Sequence, residues 1–259
     1  MNDLEHKTTI VTGASRGLGK SIAIAFGKAG AKVACVATSK DNAKRTTEEI
    51  RDLGGTAKEF GCRVEKEAQV KTLFGDVQNE LGPADVLINN AGISKPTFTL
   101  DMTENSWNEH MDINCKSIFL CSKEAAKQMK KNGGGSIVNI GSILGKNAFP
   151  ATLGYCASKA ATDQMTRVLA IEWARYGIRV NCVAPGYVKT DLIEGLESEG
   201  KLSIADLERR TPQRRLGTGE EISSAVLYGA SNQASFMTGE IMVVDGGWSA
   251  FGYYEPRGS

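Results

Sequence analysis

Short apolar runs alternate with longer stretches of helical periodicity along this chain, and that alternation restricts its fold more than any other feature. The first run, Thr8-Thr9-Ile10-Val11, ends at the loop Gly13-Ala14-Ser15-Arg16-Gly17-Leu18-Gly19. Ile22, Ala23, Ala25 and Phe26 then recur at helical spacing as far as Gly30. Six further strands are predicted at Lys32–Ala37, Ala57–Cys62, Asp85–Ile88, Ser136–Ile140, Ile178–Val183 and Glu240–Val244. Helices are predicted at 42–53, about 65–81, about 103–131, and a segment through Tyr155 and Lys159 that stops at Gly177. Near-continuous apolar strands spaced by helices demand a parallel sheet covered on both faces. Right-handed crossovers make that sheet doubly wound, so the expected class is a single α/β domain of about seven strands.

Composition removes several function classes. The 31 basic and 30 acidic residues nearly cancel, which offers nucleic acid or an anionic membrane no electrostatic hold. The six cysteines show no paired spacing and read as reduced thiols. With histidine only at 6 and 110, neither a histidine metal centre nor a Ser-His-Asp triad is easily built, and no metal is expected. The amino terminus is polar and no apolar stretch reaches membrane-spanning length, so a soluble, cytoplasmic protein is expected.

Two features carry chemistry. Tyr155 and Lys159 stand four apart on a predicted helix and share a face, where a cation beside a phenol favours the phenolate. Gly13-x-x-x-Gly17-x-Gly19 lies between a strand and a helix, where backbone N–H groups and the helix dipole cradle a phosphate. A rival pattern overlaps that loop: Ala14-x-x-x-x-Gly19-Lys20-Ser21 nearly matches the phosphate loop of nucleotide hydrolases. That reading wants a strand ending in an acidic residue, and the best candidate, residues 85–90, ends in asparagines.

Taken together, Thr12-Gly13-x-x-x-Gly17-x-Gly19, Asn89-Asn90-Ala91-Gly92, Asn114, Ser142, Tyr155-x-x-x-Lys159 and Pro185-Gly186 resemble the short-chain dehydrogenase/reductase family, over about residues 7–247. The resemblance implies a Rossmann-type fold and an oxidoreductase in which Tyr155 is the acid/base. Lys159 would support the tyrosine and bind the nicotinamide ribose. Ser142 would hydrogen-bond the substrate oxygen, and Asn114 would hold a water linking Lys159 to solvent. The implied cofactor site takes Gly13, Ser15, Arg16, Gly17, Leu18 and Gly19 from the loop, then Thr38, Ser39 and Lys40 after the second strand. Arg63 and Val64 follow the third strand, and Asn90, Ala91 and Gly92 the fourth. Tyr155 and Lys159 join Pro185, Gly186, Val188 and Thr190 at the nicotinamide.

Cofactor choice turns on the end of the second strand. An acidic residue there would pair with the ribose of NAD. Ala37-Thr38-Ser39-Lys40 with Arg16 suits a 2′-phosphate instead, so NADP(H) is expected over NAD(H), with Asp41 as the counterweight. Arg63 stands where relatives carry Asp or Asn. It cannot accept a hydrogen bond from the adenine amino group, which leaves it to stack or to add positive charge.

Val11-Thr12-Gly13-Ala14-Ser15-Arg16-Gly17 and Ala37-Thr38-Ser39 resemble 3-oxoacyl-acyl-carrier-protein reductases, but Asn132-Gly133-Gly134-Gly135 lacks the base with which, by that resemblance, an acidic carrier would dock, leaving Arg175 alone. The expected substrate is therefore a small free ketone, sugar or polyol, met by Ser142, Leu144, Asn147, Tyr155 and Tyr187, with Phe149 nearby. Acyl-carrier reduction and a non-catalytic NADP(H)-binding sensor or scaffold are the alternatives. The charged segment 186–219 is expected to form a lid after the sixth strand. The aromatic tail 248–259, with Trp248, Phe251, Tyr253 and Tyr254, is a candidate interface of a homotetramer or homodimer.

Overall fold

A computed structural model describes residues 2–252. Residues 253–259 of the tail, Tyr253 and Tyr254 among them, lie outside the described residues. Seven strands form one sheet: β1 (Thr8–Thr12), β2 (Lys32–Ala37), β3 (Thr56–Gly61), β4 (Val86–Asn89), β5 (Gly135–Ile140), β6 (Ile178–Pro185) and β7 (Ile241–Val244). Their order is β3-β2-β1-β4-β5-β6-β7 and every pairing is parallel. Strand order reverses between β1 and β4, which opens a crevice at their carboxyl ends.

Both faces of the sheet's centre are covered, so β1, β2, β4, β5 and β6 bury both sets of alternating side chains, while the edge strands β3 and β7 stay partly open. Ile10, Ala34, Val36, Leu87 and Ile137 pack on one side with Leu73, Phe74 and Val77 of α3 (Glu67–Leu81). Their sequence neighbours Val11, Val33, Cys35, Ile88 and Val138 pack on the other with Ile22 and Phe26 of α1 (Gly17–Lys28) and Ile50 of α2 (Lys40–Asp52). This is why the strands read as unbroken apolar runs rather than as alternating ones.

The stretch expected as one helix over 103–131 is three. α4 (Glu104–Met111), capped by Thr103, runs into a π-helical turn over Asp112–Lys116 and then α5 (Ser117–Lys131). Hydrophobic periodicity does not register one inserted residue, and such bulges recur at functional sites. Here the bulge holds Asn114. The helix bearing Tyr155 and Lys159 is α6 (Leu153–Trp173). In the expected lid, Thr190 caps α7 (Asp191–Ser198) and Ser203 caps α8 (Ile204–Arg210). One isolated bridge, Val188 to Gly217, closes the base of this excursion. A capping box between Thr218 and Glu221 starts α9 (Gly219–Ala230), which packs against α1.

Candidate active site

The phosphate-sized cradle is built by glycines that could be nothing else. Gly13 and Gly17 sit at φ +66° and +54°, and a Cβ on Gly19 would lie 2.1 Å from the carbonyl oxygen of Gly13. Asn90 fastens the turn from β4: its Nδ2 donates to the carbonyls of Thr12 at 2.9 Å and Gly13 at 3.2 Å. The Thr12 hydroxyl accepts from the backbone N–H groups of Asn90 and Ala91. Thus β1 and β4 are stitched where their connections part. Arg16 occupies the N-cap of α1 with extended backbone and no side-chain cap, so the first N–H groups of α1 face the crevice.

The same geometry removes the hydrolase reading of this loop. Lys20, which would have to reach a phosphate, pairs with Glu49 at 2.6 Å, and Ser21 donates to the carbonyl of Gly17. At the end of β4, Asn89 is buried and donates to Ser122 and Asn139.

Beside the loop, Thr38 accepts from Asn42 Nδ2 at 2.9 Å and Ser39 caps α2. Arg16 and Lys40 are exposed and have no ion-pair partner among the described residues. Arg63 differs: its Nε donates to Glu65 Oε1 at 2.8 Å. Its positive charge is already answered, while Val64 beside it is buried. Asp41 lies in the first turn of α2, where the helix dipole favours an acid. Thr190 closes the far side, its methyl 4.0 Å from where a Cβ on Gly17 would stand. Pro185 ends β6, Gly186 passes so close to Asp245 that a Cβ would lie 2.7 Å from that residue's Cβ, and Val188 is buried.

The four polar residues expected to act together converge at the carboxyl end of β5. Lys159 is 4 % exposed, donates to the carbonyl of Ile140 at 2.7 Å and stands 5.6 Å from the ring centre of Tyr155. Tyr155 is half-buried. Ser142 accepts from the backbone N–H of Leu144 at 3.1 Å, which leaves its own proton free to donate.

Asn114 is fully buried, and both of its amide protons are committed, to Ile93 O at 2.9 Å and Ser158 Oγ at 3.0 Å. Its Oδ1 accepts from Ile93 N. Ser158 in turn donates to the carbonyl of Tyr155. Ser158 went unnoticed in the sequence because a serine within a helix is ordinary, although it sits between Tyr155 and Lys159.

The residues expected to meet substrate gather around aromatic rings. Tyr187 and Trp248 meet edge to face with centroids 4.8 Å apart. Burial, with Tyr155 and Cys156 as lesser contributors, pushes the Tyr187 phenol up to about 12, so Tyr187 stays protonated. Asn147 donates to Ser249 at 2.8 Å, and Leu144 is half-buried. Phe149 and Trp248 join Leu202, Leu207, Asp206 and Arg209 around an open pocket of about 330 Å³. Among the described residues no three metal-ligating side chains come together, and no helix is long and apolar enough to cross a membrane.

A doubly wound sheet with a glycine cradle at its switch point and a tyrosine-lysine pair beside it defines a dinucleotide-dependent oxidoreductase scaffold. The family model described as enoyl-(acyl carrier protein) reductase matches residues 13–249. The chain belongs to the short-chain dehydrogenase/reductase family. It is 37% identical over 243 residues to the 3-oxoacyl-(acyl-carrier-protein) reductase FabG of Salmonella typhimurium, covering 94% of this chain and 97% of that protein. A short-chain type dehydrogenase/reductase from Mycobacterium marinum superposes with a TM-score of 0.92 at 37% identity, over 96% of this chain and 98% of the other. A gluconate 5-dehydrogenase from Burkholderia cenocepacia, solved with NADP and tartrate, gives 0.91 at 30% identity over 96% and 98%.

Proposed function

We propose that the chain transfers hydride between NADP(H) and a small free ketone, sugar or polyol, with Tyr155 as acid/base. The observation that carries this reading is the convergence of Tyr155, Lys159, Ser142 and Asn114 beside the glycine cradle. Bound nicotinamide supplies the hydride. Ser142 donates its free proton to the carbonyl oxygen and orients it. Tyr155 delivers a proton to the same oxygen as charge develops there. The Lys159 ammonium stabilises the phenolate left behind. Asn114 has no amide proton to spare, so a water in the proton path is held by the second lone pair of its Oδ1 or by a backbone carbonyl of the π turn.

The preference for NADP(H) is supported by the two unpaired cations Arg16 and Lys40 beside the hydroxyls of Thr38 and Ser39. NADP in the Burkholderia relative agrees with it. A second reading, reduction of a 3-oxoacyl thioester on an acidic carrier, draws on the Salmonella relative and on one surface feature. Lys130 and Arg175 both lie over the Tyr176 ring, at 4.3 and 4.8 Å, so Arg175 does not stand alone. A homotetramer or homodimer is supported by apolar side chains left open on α6 and β7, among them Ile171 and Val243.

The deciding experiment follows NADPH and NADH oxidation against free ketones, sugar acids and 3-oxoacyl thioesters, with Tyr155→Phe alongside. Turnover that survives Tyr155→Phe would refute the mechanism. Cofactor binding without turnover of any carbonyl would favour a sensor or scaffold.

A further inference from the structure

We propose that His110 is a positioning residue of the active site: its imidazole pins the extended segment 93–97 against the first turn of the helix that carries Tyr155. The proposal rests on the reductase reading above. After β4 the chain turns every second residue toward one groove. Ile93 pairs with Asn114 through both its N–H and its carbonyl, at 2.8 and 2.9 Å. Lys95 donates its backbone N–H to His110 Nε2 at 3.2 Å, and Thr97 donates to the carbonyl of Ala151 at 2.7 Å. Residues 93, 95 and 97 thus meet three receivers in succession. Two of them stand four apart, His110 near the end of α4 and Asn114 in the π turn that follows it.

The histidine is built for this task. It is 1 % exposed, and its Nδ1 lies 2.8 Å from the carbonyl of Ser106, which can only accept. Nδ1 therefore carries the proton and Nε2 offers the lone pair that Lys95 requires. The ring also packs on α6: a Cβ on Gly154, the residue before Tyr155, would stand 3.1 Å from His110 Cγ and Nδ1. Lys95 returns its ammonium to Glu109 at 2.7 Å, so the charges beside the ring answer each other. One side chain therefore touches the segment leaving the cofactor crevice, its own helix and the turn that aims Tyr155. The apolar residue that packing alone would ask for could not hold Lys95.

The test compares three variants of the full chain. His110→Gln can place an amide oxygen near the position of Nε2. His110→Asn is too short to reach Lys95. His110→Leu fills the space without an acceptor. Backbone hydrogen exchange at Lys95 and Thr97 should rise by about tenfold in the Leu and Asn variants, because a local opening has been made easier. With the carbonyl substrate found by the panel, kcat in those two should fall about tenfold while KM changes less than about threefold, as displacement of a catalytic group predicts. The Gln variant should recover both readouts to within about threefold of wild type. Wild-type kcat in His110→Leu and His110→Asn, or a Gln variant as impaired as both, would overturn the proposal. Unchanged exchange at Lys95 in His110→Asn would overturn it even if His110→Leu does not fold. A wild-type protein that reduces no carbonyl removes the reductase reading instead, and the exchange experiment still decides whether the ring holds the segment.

Discussion

The Lys159 ammonium donates to the carbonyl of Ile140 at 2.7 Å, tying the second turn of α6 to the end of β5. Because the lysine is buried, this bond sets both the height of Tyr155 and the place of the positive charge. Lys159→Met should therefore have two separable effects. It removes the cation that supports Tyr155, lowering kcat by about 10²-fold or more. It also leaves the Ile140 carbonyl without its donor, costing about 1–3 kcal/mol of stability in denaturant unfolding. Stability lost without kcat would show that the lysine is only a strut.

The proposed preference for NADP(H) separates the cations. Arg16→Ala and Lys40→Ala should each raise KM for NADPH by about tenfold and leave NADH nearly unchanged, since each removes a charge-assisted contact to a 2′-phosphate. Arg63→Ala should change either cofactor by less than about threefold, because Glu65 already occupies its guanidinium. A large, NADPH-selective loss at Arg63 would mean that the pair with Glu65 breaks on binding.

Much of this was legible in the sequence, and the failures have one physical origin. Strand positions and the glycine loop follow from local chemistry: β-branched runs, turn glycines and helix periodicity act within a few residues. The saturation of the Asn114 amide and the service of Asn90 to the Gly13 turn are contacts between elements, while the pairing of Arg63 with Glu65 is a rotamer choice within one loop. No spacing rule reports such contacts. His110 shows the limit best, since one partner lies a turn back in its own helix and the other in a loop fifteen residues away.

Trp248 gives a prediction about substrate size. Its edge-to-face contact with Tyr187 and its place in the pocket beneath α8 make it a wall between the two. Trp248→Ala should shift the preference toward longer carbonyl compounds, with kcat/KM gaining roughly threefold per added methylene that becomes buried. An unchanged length profile would place the substrate elsewhere. Small polar substrates should respond little.

Alkaline conditions test the buried acids as a group. Burial raises Cys35 and Cys62 from 9.0 to about 11, Cys182 to about 12, and Tyr187 from 10.0 to about 12. Between about pH 9 and 12 the unfolded chain releases protons that the folded chain keeps, so folding binds more protons and stability falls as pH rises. The stability these groups contribute is fully present below pH 9 and is lost progressively up to the folded values. Denaturant midpoints measured from pH 7 to 10.5 should decline above about pH 9, and Cys35→Ala should lessen the slope. The same burial predicts thiol reactivity. At pH 8 a thiol near 11 is ionised in only about one molecule in a thousand, so Cys35 and Cys62 should react slowly in the native protein. Cys156 is half-buried and adjoins Tyr155, and it should be labelled first, with loss of turnover as it reacts. Labelling of Cys35 ahead of Cys156 would require the sheet to open faster than the active-site helix, against the packing of β2 between β1 and β3.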